Sequence, residues 1–480
     1  MEKLVGRIRE CEELSKAMKS QRSEFIVLYG RRRIGKTFLV RSFFGDCFDF
    51  HYVGAHKMKT KFQLRNFRRE LIRFSGDAAI PELSNWMEAF EYLENCLDSL
   101  EKGRRKVLFF DEMPWIDAKQ SDFVVALEYF WNSWVSTRDD IVLIACGSAT
   151  SWMADKLIDN PGGLHNRITR RIYLRPFTLG ECQDYLASKG FDWDYYQFIQ
   201  CYMILGGVPF YWSMLEPQFS VPQNVDRLFF RRDGGLRIEF DELYNALFSN
   251  AERYISVVRS LAGHREGLTR DEISSSVNLS GGNLTKVLKN LERCDFMASY
   301  SQFGSKNKNA IYRLTDFYTL FYFKYLNGER NYDEEFWSHH FQSPQVAAWQ
   351  GLTFELVCLA HLPQIKKALG ISGVETKVSA WRYVPSRSSR ELPEKGAQID
   401  LLIARADKMI NLCEIKFSDG EFAITKEYER QLRERLSIFR QVTQTKYGVL
   451  CTFITPYGVA NGIHYSIVNG EVTAPALFAD

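Results

Sequence analysis

The chain has 480 residues, 45% of them hydrophobic and 25% charged, and its formal net charge is +3. That composition belongs to a globular protein with a full-sized core. At about 150 residues per domain it suggests roughly three domains, and it confines any basic surface for nucleic acid to a local patch.

Met1 to Arg7 is charged and has no apolar leader core, and the longest apolar runs are strand-sized, such as Ile141 to Cys146. Neither a signal peptide nor a membrane span is expected. The ten cysteines are scattered from Cys11 to Cys451 without a Cys-x-x-Cys pair. This excludes a disulfide framework or a zinc site and predicts reduced thiols in a cytoplasmic protein. Phe25 to Tyr29, Val107 to Phe110 and Ile141 to Cys146 read as buried strands, with helical stretches such as Trp86 to Lys102 and Phe123 to Trp134 among them. The alternation over residues 1–177 predicts an α/β layer fold. Residues 178–249 read as almost wholly helical, broken at Gly206-Gly207-Val208-Pro209.

Residues 250–318 change character. A helix over Ile255 to Ala262 precedes a capping box at Thr269-Arg270-Asp271-Glu272, and a third helix spans Asn283 to Arg293. Two strand-like runs, Met297 to Ser301 and Ala310 to Leu314, follow. This is the winged-helix order. In the third helix Leu284, Val287, Leu288 and Leu291 share the core face. Asn283, Lys286, Lys289 and Asn290 fall on the other, where they could meet a DNA groove or simply be solvated. The loop Lys306-Asn307-Lys308 is the candidate wing. Residues 319–349 read as a helical linker, and α/β alternation returns over 350–480.

The sharpest motif is Gly30-Arg31-Arg32-Arg33-Ile34-Gly35-Lys36-Thr37, which matches Gly-x4-Gly-Lys-[Ser/Thr] between a strand and a helix. Glycines let successive backbone N–H groups turn inward around phosphates, and the helix adds its positive end, with Phe38 in its first turn. Lys36 is expected to reach the β/γ-phosphates and Thr37 to ligate Mg²⁺. Asp111, ending a strand, is placed to hold that Mg²⁺ through water, and Glu112 to polarise the attacking water. Ser148 is either a γ-phosphate sensor or a helix cap.

Leu4-Val5-Gly6-Arg7, the Gly30–Thr37 loop, Asp111-Glu112, Gly147-Ser148 and Gly206-Gly207-Val208-Pro209 together resemble the archaeal-type ATPases of the AAA+/STAND group. The resemblance implies an AAA+-like P-loop core with a helical lid. Val5, Gly6 and Arg7 resemble an adenine-side element, which favours ATP over GTP. An arginine on the γ-phosphate falls, by the same resemblance, at Arg167 in Gly163-Leu164-His165-Asn166-Arg167-Ile168-Thr169, with Arg170, Arg171 and Arg175 as competitors. Such sites often complete themselves between subunits, and nothing in this sequence fixes an oligomer.

In the last region Gln398 to Ile403 and Met409 to Ile415 read as two strands that can pair as a hairpin. Residues two apart share a strand face, so Glu414 and Lys416 point together, and Asp400 can join them. Two carboxylates can hold Mg²⁺, and a lysine can stabilise developing charge. Asp-x13-Glu-x-Lys resembles the restriction-endonuclease-like superfamily. That resemblance adds Glu355 as the upstream helical acid and Gln431 as a polar residue on the next helix. The catalytic set is then Glu112, Arg167, Glu355, Asp400, Glu414, Lys416 and Gln431, with ATP and Mg²⁺ as cofactors and DNA as partner. Three readings stay open: a nucleotide-controlled nuclease, an ATP switch whose winged-helix and C-terminal domains bind DNA or a protein without cleaving, or a C-terminal fold that is purely structural.

Overall fold

Strand β1 (Glu24–Tyr29) shows how the first sheet is built. Phe25 and Val27 enter one core, while Ile26 and Leu28 enter another. A strand buried on both faces has no polar alternation, which is why its sequence reads as one apolar run. The computed structural model describes residues 4–101, 103–118, 120–159, 162, 164, 166–248, 250–301, 303–304, 310–328, 333–385 and 393–479. One unit comprises residues 1–176 with 247–249, and the other comprises 177–246 with 250–480.

In the first unit β1 joins β2 (Phe50–Val53), β3 (Lys106–Asp111), β4 (Ile141–Gly147) and β5 (Arg170–Tyr173) in a parallel sheet ordered β2-β3-β4-β1-β5. Leu14 and Ala17 of the helix Ile8–Met18, with Leu39 and Val40 of Lys36–Phe44, pack on one face. Leu64, Phe67, Trp86, Phe90 and Phe130, from helices Thr60–Ser75, Trp86–Asp98 and Phe123–Ser133, pack on the other. The expected α/β layer fold is therefore present. The edge strands β2 and β5 are absent from the strands read off the sequence, because both are short and only partly buried.

The second unit opens with helices, including Leu179–Ala187 and Tyr195–Leu205. The latter ends at the expected glycine break, and the helix Pro209–Ser213 follows. Next come helix Ala251–Ala262, strand β6 (Leu268–Thr269), helices Arg270–Val277 and Gly281–Arg293, and strands β7 (Met297–Tyr300) and β8 (Ile311–Leu314). The three strands form an antiparallel sheet ordered β6-β8-β7. The capping box forms: Thr269 accepts from the Glu272 N–H, and the Glu272 carboxylate accepts from the Thr269 N–H at 2.7 Å. The candidate wing Lys306-Asn307-Lys308 lies outside the described residues.

The last part holds β9 (Thr376–Tyr383), β10 (Ala397–Arg405), β11 (Met409–Ile415), β12 (Gly448–Ile454) and β13 (Gly470–Val472), ordered β13-β12-β11-β10-β9. The predicted hairpin exists, with Leu401 opposite Cys413 in the antiparallel β10–β11 pair. β12 runs parallel to β11 after the helix Lys426–Thr443 crosses over. Phe439 of that helix packs with Trp381, Ile399, Leu402 and Leu412 of the sheet. All ten cysteines are free thiols, and among the described residues no helix is long and apolar enough to cross a membrane.

Candidate functional site

The loop after β1 turns with Gly30 at φ 144° and Gly35 at φ 86°. A Cβ at Gly30 would sit 2.4 Å from the Leu174 carbonyl oxygen, so only glycine passes this turn. Lys36, nearly buried at 6% exposure, donates from Nζ to the carbonyls of Gly30 at 3.0 Å and Arg31 at 2.7 Å. Its ammonium is therefore folded into the loop it serves. Arg31 is buried, Arg32 and Arg33 are half-buried, and Ile34 belongs to the core beside the helix. Phe38 is exposed on the outer face of the helix Lys36–Phe44.

Thr37 Oγ1 donates to Asp111 Oδ2 at 2.8 Å, which brings an alcohol and a carboxylate together at the head of the helix. These hard oxygen donors suit Mg²⁺. Glu112 follows at φ 46°, a left-handed conformation rare outside glycine. Its Oε2 accepts from Ser148 Oγ at 2.8 Å and from the Ser148 N–H at 3.2 Å. Ser148 thus holds the Glu112 carboxylate instead of capping a helix with its side chain.

Gly6 and Arg7 are both left-handed, at φ 62° and 60°, and follow the half-buried Val5. The buried Arg7 guanidinium donates to the Arg175 carbonyl at 2.7 Å and the Ile34 carbonyl at 3.2 Å, tying the phosphate loop to the chain beyond β5. Arg167 lies exposed in the turn before β5. Its competitor Arg170 instead pairs with Glu13 at 2.7 Å and Glu24 at 3.5 Å.

In the second unit a cavity of about 220 Å³ is lined by Glu355, Asp400, Glu414 and Lys416, together with Arg265, Gln398 and Arg435. The β10–β11 register, continued by one residue, sets Asp400 across from Glu414. Glu355 comes from the helix Pro344–Ala360 and is 5% exposed. Four residues expected together are therefore together. The fifth is not: Gln431 sits on the exposed side of its helix and donates to Glu427 at 3.1 Å. The sheet-facing stripe of that helix runs through Tyr428, Leu432, Arg435 and Phe439, and Gln431 lies off it.

The charges in the cavity are already matched. Glu414 accepts from Arg435 at 2.6 Å and from the Tyr428 hydroxyl, and it pairs with Lys416 at 3.1 Å. Glu355 accepts from Arg265 at 2.6 Å and Arg313 at 3.1 Å. Asp400 accepts from Gln398 at 2.7 Å and lies 3.9 Å from Arg265. Burial and the nearby Asp400 raise the Glu355 carboxyl above its ordinary range, against the pull of the two arginines. Among the described residues no three acids, histidines or cysteines are gathered so as to hold a metal ion. The expected Mg²⁺ on Asp400 and Glu414 thus does not fit this arrangement, because guanidinium and ammonium groups occupy the carboxylates. Asn290 is also corrected: it is buried and donates to the Tyr254 hydroxyl at 2.9 Å, leaving Asn283, Lys286 and Lys289 exposed.

Residues 4–215 match the family of ATPase domains found predominantly in Archaea. This stretch is an archaeal-type ATPase domain. An uncharacterized protein of Methanocaldococcus jannaschii is 23% identical over 450 residues, covering 92% of this chain and 94% of its own. The Walker-type ATPase of Pyrococcus abyssi aligns over 67% of this chain and 96% of its own, with 16% identity and a TM-score of 0.48. The Aeropyrum pernix ORC2 protein aligns over 65% of this chain and 91% of its own, with 13% identity and a TM-score of 0.33.

Around the ATPase domain's cradle, the residue missed from sequence is Arg7 as a structural clamp, since a buried arginine bound to carbonyls leaves no local pattern. Around the cavity, Arg265, Arg313 and Arg435 were missed. Arg435 was findable, because it stands seven residues after Tyr428 on the apolar stripe. Arg265 and Arg313 carry no such signal.

Proposed function

We propose that this chain is an ATP-hydrolysing protein that acts on DNA, with a nuclease-like C-terminal domain controlled by nucleotide state. Residues 1–177 serve as the P-loop core, 178–249 as lid, 250–318 as winged helix, 319–349 as linker and 350–480 as the restriction-endonuclease-like domain. The observation that carries the DNA-acting part is the convergence of Glu355, Asp400, Glu414 and Lys416 in one cavity.

In the ATPase, Lys36 moves from the Gly30 and Arg31 carbonyls to the β/γ-phosphates, and Val5 to Arg7 border the adenine. Thr37 and Asp111 would hold Mg²⁺, which would neutralise phosphate charge there. Glu112, oriented by Ser148, accepts a proton from the attacking water, and Arg167 meets the γ-phosphate. Exposed Asn283, Lys286 and Lys289 face the DNA backbone.

The ion-paired state of all three cavity acids favours a second reading, in which the domain binds DNA or a protein partner without cutting. Incubation of the full chain with Mg²⁺ or Mn²⁺, ATP and single-stranded, duplex and branched DNA separates the two. Cleavage that disappears in Glu414→Ala/Lys416→Ala supports the nuclease. ATP turnover without cleavage supports the switch.

A further inference from the structure

Seventeen residues of the first unit, Lys57 to Arg73, hold seven cations and one acid, Glu70, a net +6. The whole chain carries +3, so its other residues together stand at −3. Most of this run is the helix Thr60–Ser75, whose Leu64, Phe67 and Leu71 are buried toward the sheet. At 3.6 residues per turn, Phe62, Arg65, Asn66, Arg69 and Arg73 fall within about 100° of arc on the opposite side.

That outward face is open and largely unneutralised. Phe62 is 47% exposed, and Arg65 and Arg69 are exposed as well. Among the described residues no carboxylate pairs with Arg65 or Arg69, and Arg73 pairs with Glu70 at 2.8 Å while staying 65% exposed. Arg68 lies off this face and donates to the carbonyls of Ile80 at 2.7 Å and Pro81 at 2.8 Å. Beside the face is a cavity of about 380 Å³, lined by Asn66, Arg69, Glu70 and Arg73 and by residues 51–53 of β2. β2 is the edge of its sheet, and a strand edge leaves backbone donors and acceptors open to a ligand.

We propose that this face of the ATPase domain binds single-stranded nucleic acid. Arg65, Arg69 and Arg73 hold phosphates, Phe62 stacks on a base, and the cavity beside β2 receives another. An acidic protein segment would also satisfy the arginines. An exposed aromatic among cations, next to a polar cavity, instead suits a polymer that combines backbone charge with flat rings. A duplex keeps its base faces stacked inside and leaves Phe62 without a partner. The site needs neither the winged helix nor the C-terminal cavity, and it adds a contact that the reading above does not contain.

The test is fluorescence anisotropy of labelled oligo-dT, about 16 nucleotides long, with the full chain in EDTA across a KCl series. Arg65→Gln/Arg69→Gln/Arg73→Gln should bind at least tenfold more weakly. Its plot of log Kd against log salt should be shallower by about 2, the share of three phosphates on a single strand. Phe62→Ala should lose at least about fivefold with an unchanged slope, the mark of lost stacking. Glutamine keeps helix propensity at these exposed positions, and unchanged ATP affinity verifies the fold. Wild-type affinity and slope in the triple variant overturn the site. Loss that appears only in Lys286→Gln/Lys289→Gln also overturns it and leaves the DNA-acting reading standing. No binding of oligo-dT or duplex by any form overturns both. Labelled polyglutamate that the triple variant no longer binds, with oligo-dT unaffected, assigns the face to an acidic protein instead. Equal loss for oligo-dT and duplex, with Phe62→Ala silent, overturns the single-strand assignment.

Discussion

The phosphate cradle and the carboxylate cavity hold their charged groups by different means. In the cradle Lys36 rests on backbone carbonyls of its own loop, and Thr37 and Asp111 hold each other. Those carbonyls orient the ammonium within the loop that follows β1. In the cavity every acid has a side-chain partner, and Glu355 and Glu414 each have cations from more than one element. Charge there is neutralised in advance, and it is released only when a side chain leaves. A site steadied by backbone dipoles is poised for its ligand, whereas one steadied by ion pairs can be gated.

The largest effect expected from breaking this contrast is at Lys36. Lys36→Ala should cut ATP turnover by about a thousandfold, because one preorganised cation on the phosphates is lost; steady-state phosphate release and nucleotide titration measure it. Glu112→Gln should slow turnover about a hundredfold while ATP affinity stays within a few fold, the pattern of a lost general base. Turnover equal to wild type would remove that role from Glu112. Ser148→Ala should cost about tenfold in turnover, since the Ser148 N–H still binds the Glu112 carboxylate when the hydroxyl is gone.

The smallest effect contrasts an acid among acids with Glu355 among arginines. Glu94 is pushed up to about 7 from 4.5 by burial and then by Asp98 and Glu91. Its protonated form is favoured in the fold, so its contribution is fully present below pH 4.5 and is lost as pH rises through about 7. Glu94→Gln should therefore match wild type at pH 4.5 and exceed it at pH 8 by about 1 kcal/mol in denaturant unfolding, after allowance for screening at a half-buried site.

The cradle was legible because it is contiguous: one stretch contains the glycines, the lysine and the threonine, and apolar runs announce β1, β3 and β4. The cavity was legible in its acids and lysine, since a hairpin and a two-residue strand spacing bring Asp400, Glu414 and Lys416 together. Its counter-ions were not. Arg265 and Arg313 reach Glu355 across ninety and forty-two residues of sequence, and no periodicity encodes that approach. Gln431 failed for the opposite reason: a helix face is decided by what packs beneath it, the sheet in the case of Gln431 and Tyr254 of the helix Ala251–Ala262 in the case of Asn290.

The proposed function holds that nucleotide state in the ATPase governs the cavity. Its most direct test is DNA cleavage by Glu112→Gln with ATP bound, beside Lys36→Ala, which cannot hold ATP, each with and without Asp400→Ala. The account predicts rates differing at least tenfold between the two and vanishing with Asp400→Ala. Cleavage at the same rate in both, or cleavage that survives Asp400→Ala, would contradict it.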